Sequence, residues 1–280
     1  MHSRRDFLKR WGLLGLGSLG AVQACSSLQP ARIGVQLYSV RDEMLADAAG
    51  TLGKLARIGY TELESARSPK GFYYGLLPKE IRSICDDLGI TLRSGHVALD
   101  DTWQRAMDEA AETGQEYLIC SSLPFEGQTV DNYKRVAEAF NKAGEQCRAL
   151  NISFGYHNHD YEFERVDGAV LYDVLMDETD PELVKMELDL GWVVATGNDP
   201  KTYFERYPHR FELWHLKDMD LAKKESTEFG KGELDIPGML ASKKRSGLRY
   251  FFVEQEEYTH SALESLQEDY DYLMKYKDQI

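Results

Sequence analysis

Residues 186–192 read MELDLGW, an apolar run in which Glu187 and Asp189 fall on one face of a strand before a glycine and a tryptophan. Side chains alternate faces along a strand, so acids two apart inside a buried run need a cation or a substrate to meet. Three other runs share this form: FGYHNHD (154–160) carries His157, ELWHLKD (212–218) carries His215, and YFFVEQE (250–256) carries Glu254. In chain order His157, Asp189, His215 and Glu254 are 32, 26 and 39 residues apart. Such intervals suit one strand plus one helix, the unit of a (β/α)8 barrel, whose chemistry sits at the carboxyl ends of its strands. Imidazole and carboxylate together suit a divalent ion, so these four are candidate metal ligands.

Working outward, eight short apolar runs alternate with amphipathic helical patterns: 32–38, 60–64, 91–96, 116–120, 152–157, 184–190, 211–217 and 250–255. Buried parallel strands look like this, and helices that stop at Gly59 and Gly89 just before a strand give the βα punctuation. Asp199-Pro200 and Ile236-Pro237 read as helix entries with proline in the first turn. An antiparallel sheet would show two-residue hairpin loops, and a dinucleotide-binding domain would carry GxGxxG after its first strand. Neither pattern is found, because GLGSLG (15–20) lies in the N-terminal segment considered next. The expected fold is α/β, a single-domain (β/α)8 barrel over 32–280.

Ser3 to Lys9 (SRRDFLK) places Arg4-Arg5 before the uncharged stretch Trp11 to Ala24, the form of a Tat export signal. Fourteen uncharged residues are too few for a hydrocarbon core that needs roughly 20. Val22-Gln23-Ala24-Cys25 resembles a lipobox, with Cys25 the residue to be lipidated and Ser26 after it favouring the outer membrane. The expectation is a signal over 1–24, a linker over 25–31, and a periplasmic protein that meets the membrane by its lipid anchor only. Removing 1–24 takes away four basic residues and one acid, so the net charge moves from -14 to -17. That surface repels phosphate backbones, which argues against nucleic acid and for a small neutral carbohydrate. Cys85, Cys120 and Cys147 show no CxxC pairing and read as buried thiols. A homo-oligomer is left open.

Each candidate has a plainer structural reading beside the chemical one. His157 alone would be a hydrogen-bonded structural histidine, Asp189 a helix cap, His215 a core histidine, and Glu254 a salt-bridge partner of Lys217. Lys217 follows His215 on the same strand face and needs an anionic or developing charge nearby. It is the first choice among the catalytic candidates Lys217, His159, Glu64 and Glu256. Glu64 shares a strand face with Glu62, and an ion pair would explain both. His96, Trp192, Gln36 and Tyr38 are candidate substrate contacts, with ordinary packing as the alternative.

GYTELE (59–64), YHNHDYEF (156–163), ELDLGWVVATG (187–197), HLKD (215–218), GKGELD (230–235) and VEQE (253–256) resemble the sugar phosphate isomerase/epimerase family of the xylose isomerase-like barrels. The resemblance covers the whole chain after the signal. It implies one divalent metal, Mn, Co, Zn or Mg, held by His157, Asp189, His215 and Glu254, and proton abstraction beside a carbonyl that the metal polarises. Ketose epimerases of this family have a glutamate at the position of His157 and a histidine at that of Trp192, so this chain departs from the two-base pattern. The YHxH form of strand five is similar to inosose dehydratases, and similar exported members act on 3-keto-glycosides. The resemblance therefore implies a lyase, hydratase or isomerase of a keto-sugar or 3-keto-glycoside. The alternatives are an epimerase or isomerase of a free ketose, a non-catalytic exported sugar-binding barrel, and a DNA-repair nuclease, which the acidic balance opposes.

Overall fold

A computed structural model describes residues 32–280. The signal segment, the linker and Cys25 lie outside the described residues. Eight parallel strands close into a barrel: β1 (Gly34–Gln36), β2 (Glu62–Ser65), β3 (Thr91–Val97), β4 (Tyr117–Cys120), β5 (Ser153–His157), β6 (Val184–Asp189), β7 (Leu213–Leu216) and β8 (Tyr250–Val253). Neighbours in sequence pair throughout, and β8 returns to β1 through Gly34 opposite Phe252. All eight expected runs become strands. Five of them, β1, β2, β4, β7 and β8, are buried along their whole length, as expected for a sheet covered by helices outside and filled by side chains inside.

The main covering helices are α1 (Arg41–Ile58), α2 (Pro78–Leu88), α3 (Trp103–Thr113), α4 (Val130–Arg148), α5 (Leu171–Glu178), α6 (Leu190–Ala195), α7 (Pro200–Arg206), α8 (Ile236–Ser246) and α9 (Ala262–Met274). Gly89 ends α2 in the left-handed region at φ 68° and caps carbonyls of its last turn, the role expected of it. Proline opens α7 at Pro200 and sits in the first turn of α8 at Pro237, after the aspartate caps Asp199 and Asp235. Cys85, Cys120 and Cys147 are free and buried. No helix among the described residues is long and apolar enough to cross a membrane.

Two features depart from the sequence reading. A two-residue hairpin does exist, between Arg165–Val166 and Ala169–Val170, with both turn residues, Asp167 and Gly168, at positive φ. The Asp-Gly pair is its signal, and it decorates a loop rather than building the main sheet. Helix α6 leaves β6 with no intervening loop, whereas only the later helix around PKTYFERY is expected there.

The N-terminal end of the barrel is stoppered. Tyr117, Ile119, Leu213, Tyr250 and Phe252 form an inner apolar layer. Around it, Glu62 meets Arg32 at 2.7 Å and Arg93 at 2.5 Å, Arg93 also meets Glu116, and the Tyr117 hydroxyl donates to Glu212 at 2.7 Å. Glu62 is therefore an ion-pair partner in the floor, and Glu64, two residues on, points into the upper barrel.

Candidate active site

At the opposite end the strand termini bring His157, Asp189, His215 and Glu254 together, with one candidate ligand atom from each lying within 4.8 Å of the others. His215 Nδ1 lies 2.9 Å from Glu254 Oε2 and 3.8 Å from Asp189 Oδ2, while His157 Nε2 lies 3.4 Å from Asp189 Oδ2. Beneath them a second group of the same kind, Glu64, His96, Glu187 and His215, converges from β2, β3, β6 and β7. His215 joins the two layers, since its Nε2 contacts Glu64 Oε1 at 2.7 Å. Glu187 has no role in the sequence reading, although its shared face with Asp189 was the available signal.

The donor set fits a cation. His157 is buried with neither ring nitrogen hydrogen-bonded, and Glu64 Oε2 and Glu187 Oε1 are likewise buried without partners. Such groups normally find a partner, and each of the two clusters, joined at His215, gathers donors that suit a divalent ion. Burial, then the neighbouring His215, holds the His157 imidazole well below its usual value, in the neutral form a metal requires. Burial also opposes charge on Glu64, but His96 and His215 overcome it and hold that carboxyl well below its usual range. Burial and the Glu64 charge push Glu187 up to about 7. His96 lies 2.8 Å from Glu187 and 3.1 Å from Glu64, and these carboxylates outweigh its burial, lifting it to about 9.

Both readings of Asp189 hold at once. Its Oδ1 accepts the Trp192 backbone N–H at 2.9 Å and caps α6, leaving Oδ2 for the site. Glu254 likewise serves His215 and also meets Lys217 Nζ at 2.8 Å. Lys217 is fully buried and further meets Asp189 at 3.1 Å and Glu256 at 2.7 Å, with its ammonium 4.9 Å from the Trp192 ring centroid. Burial works against this charge, but three carboxylates overcome it and keep the amine protonated, well above its usual value. Lys217 is thus a poor first choice for the proton acceptor.

A cavity of about 220 Å3 opens above the metal-capable groups, and His157, His159, Trp192, Glu254, Glu256 and Tyr38 are among its walls. His96 also faces it, which leaves Gln36 as the exception among the four expected substrate contacts. Gln36 is fully buried, donates to Glu64 Oε1 at 2.7 Å and accepts from the Tyr38 backbone, so it orients Glu64 from the neighbouring strand. Of the four catalytic candidates, His159 and Glu256 line the cavity, while Glu64 and Lys217 stand behind its walls. Burial, then the Lys217 charge, holds His159 down at about 4, and its Nδ1 lies 3.2 Å from the Tyr161 hydroxyl.

The model of the xylose isomerase-like TIM barrel family matches residues 52–276. An inosose dehydratase of Geobacillus kaustophilus is 24% identical over 253 residues, covering 76% of this chain and 80% of that relative. An inosose dehydratase of Lacticaseibacillus casei is 34% identical over 91 residues, and that match spans only 30% of the relative's length. Among solved structures, a sugar phosphate isomerase/epimerase of Parabacteroides distasonis superposes with a TM-score of 0.80 at 29% identity, covering 89% of this chain and 95% of that one.

Proposed function

This chain belongs to the xylose isomerase-like TIM barrel family, and from that premise we propose that it is a metal-dependent lyase, hydratase or isomerase that enolises a keto-sugar or 3-keto-glycoside. The observation that carries the reading is His157, a neutral and unpartnered imidazole that joins Asp189, His215 and Glu254 on the side of the metal-capable cluster facing the open cavity. Those four would hold the ion, and the ion would polarise a carbonyl oxygen bound beside it. Glu64, His96 and Glu187 form the layer that orients His215 from below. The inosose dehydratase relatives support a reaction that eliminates or adds water next to a ketone.

The chain's own groups divide the proton work. Glu256 is the cavity-wall carboxylate outside the proposed ligand set, with Lys217 2.7 Å away, and is assigned as the acceptor of the proton on the carbon next to the carbonyl. The Tyr161 hydroxyl lies 3.2 Å from Nδ1 of His159, and with that hydroxyl as donor Nε2 carries the hydrogen, so His159 is assigned as the hydrogen-bond donor to the oxygen that leaves or returns at the β carbon. Lys217 remains protonated and offsets part of the repulsion among Asp189, Glu254 and Glu256, which share one small volume.

Two measurements test this. The purified chain should carry about one divalent ion that His215→Ala loses, and a metal-free, inactive chain would leave only the sugar-binding barrel. With a 3-keto-glucoside and Mn, Co or Zn, NMR in deuterium oxide should show exchange at the α carbon. Glu256→Gln should suppress that exchange by about 10²-fold or more, whereas His159→Gln should keep exchange and lose the elimination. Equal loss of both steps in both variants would overturn the division of roles. We further propose that the protein is exported by the Tat route and anchored through Cys25.

A further inference from the structure

The segment after β2, ARSPKGFYYGL (66–76), has no part in the chemistry above, yet it is held firmly. Phe72, Tyr73 and Tyr74 are buried, the Tyr73 hydroxyl donates to Gln115 Oε1 at 2.7 Å, and Ser68 and Gly71 exchange backbone hydrogen bonds at 3.1 and 3.0 Å. Between this loop and the start of α3 lies a second cavity of about 360 Å3. Arg67, Lys70 and Arg105 line it, and no carboxylate is on its wall. Asp100 meets Arg67 through Nη1 alone at 2.7 Å, and Glu109 stands 3.7 Å from Arg105. Lys70 meets no carboxylate among the described residues, its Nζ donating to the Leu45 carbonyl at 2.6 Å. A concentration of cations is unexpected on a chain of net charge -14, and it creates a local potential that draws anions toward one spot.

Arg67 lines both this cavity and the catalytic one. The catalytic cavity, at about 220 Å3, is smaller than the roughly 300 Å3 at which drug-sized sites begin, so it suits a single sugar ring. Tyr38, Trp192 and Arg67 are among the walls past which a substituent on that ring can extend. We propose that the basic cavity is a second subsite for an anionic substituent, a carboxylate or a phosphate monoester, borne by the substrate beyond its reacting ring. The guanidinium of Arg67 has donors left over after Asp100, and Arg105 and Lys70 add positive charge on the same lining. This inference rests on the catalytic cavity being a sugar site and narrows its substrate to an anionic glycoside.

Binding of unreactive glucosides to the full chain tests it separately from turnover. Phenyl, 4-carboxyphenyl and 4-phosphophenyl glucosides would be compared by calorimetry. The anionic ligands should bind about fivefold tighter than the neutral one, a modest factor because Arg67 is half-exposed. The advantage should shrink in 1 M salt, fall in Lys70→Ala and Arg67→Ala, and survive in part in Arg67→Lys. The larger advantage between the two anions identifies the group. Equal affinity for neutral and anionic glucosides, no binding of any of them, or an advantage unchanged in both alanine variants would overturn the subsite. An anionic advantage without turnover of the matching keto-glucosides would keep the subsite and remove the enzymatic reading, while turnover without the advantage would do the reverse.

Discussion

An ammonium taken out of water costs several kcal/mol unless carboxylates surround it, and Lys217 meets three within 3.1 Å. Removing it leaves Asp189, Glu254 and Glu256 to repel one another. Lys217→Met should therefore lower the stability of the metal-free chain by about 3 kcal/mol in urea unfolding. Added divalent ion should restore much of that loss, because it binds only the folded state. Glu162 presents the opposite case, a buried acid that pairs with no cation among the described residues. It accepts the Tyr156 hydroxyl and the His159 backbone N–H, and burial pushes it up to about 7. The folded chain then holds a proton that the unfolded chain releases near pH 4.5, so the contribution is full below that pH and lost as pH rises through about 7. Over that window stability should fall by about 3 kcal/mol, and Glu162→Gln should flatten the slope in denaturation curves taken at several pH values. At this scale the four residues that cluster at the strand ends were legible as candidates because a polar side chain at the end of an apolar strand conflicts with burial. Glu187 was not, because it lies deeper in the barrel, and its partners Glu64 and His96 come from strands about 90 residues or more away in the chain. No spacing along a sequence reports which residues share one layer of a closed barrel.

Elements were easier to read than their joints. The strands announce themselves through unbroken apolar runs and the helices through their caps, so all eight βα units stand where expected. Helix α6 was missed because its cap, Asp189, is also a site residue and its six residues form barely more than a turn. The connection after β7 was read as a motif without a structure. In it Asp218 accepts four backbone N–H groups, from Met219 at 2.9 Å, Gly230 at 2.8 Å, Gly232 at 3.1 Å and Leu234 at 2.9 Å. The glycine at 232 is needed because a Cβ there would lie 2.3 Å from Asp218 Oδ1. HLKD and GKGELD are thus two halves of one clamp, placed directly after Lys217. Asp218→Asn should cost about 1–3 kcal/mol and raise amide exchange at 230–234 selectively, with α9 unaffected.

For the whole molecule, the acidic composition and the proposed export signal belong to one argument about where the chain works. Cys25→Ala should move it from the membrane fraction to the soluble periplasm, and unchanged fractionation would remove the lipid anchor from the account. The barrel itself was fully legible as a fold, since only a parallel sheet covered by helices explains eight buried runs at such intervals. Its floor was not, because ion pairs such as Arg93 with Glu62 and Glu116 join residues from separate strands. That floor has a consequence for traffic. With the lower end stoppered by aromatic rings and paired charges, reactant, water and product use the upper end, where Tyr38, Trp192 and Arg67 stand among the cavity walls. Any narrowing there that sharpens selection on the way in also slows departure, so discrimination and turnover are tied to the same few side chains.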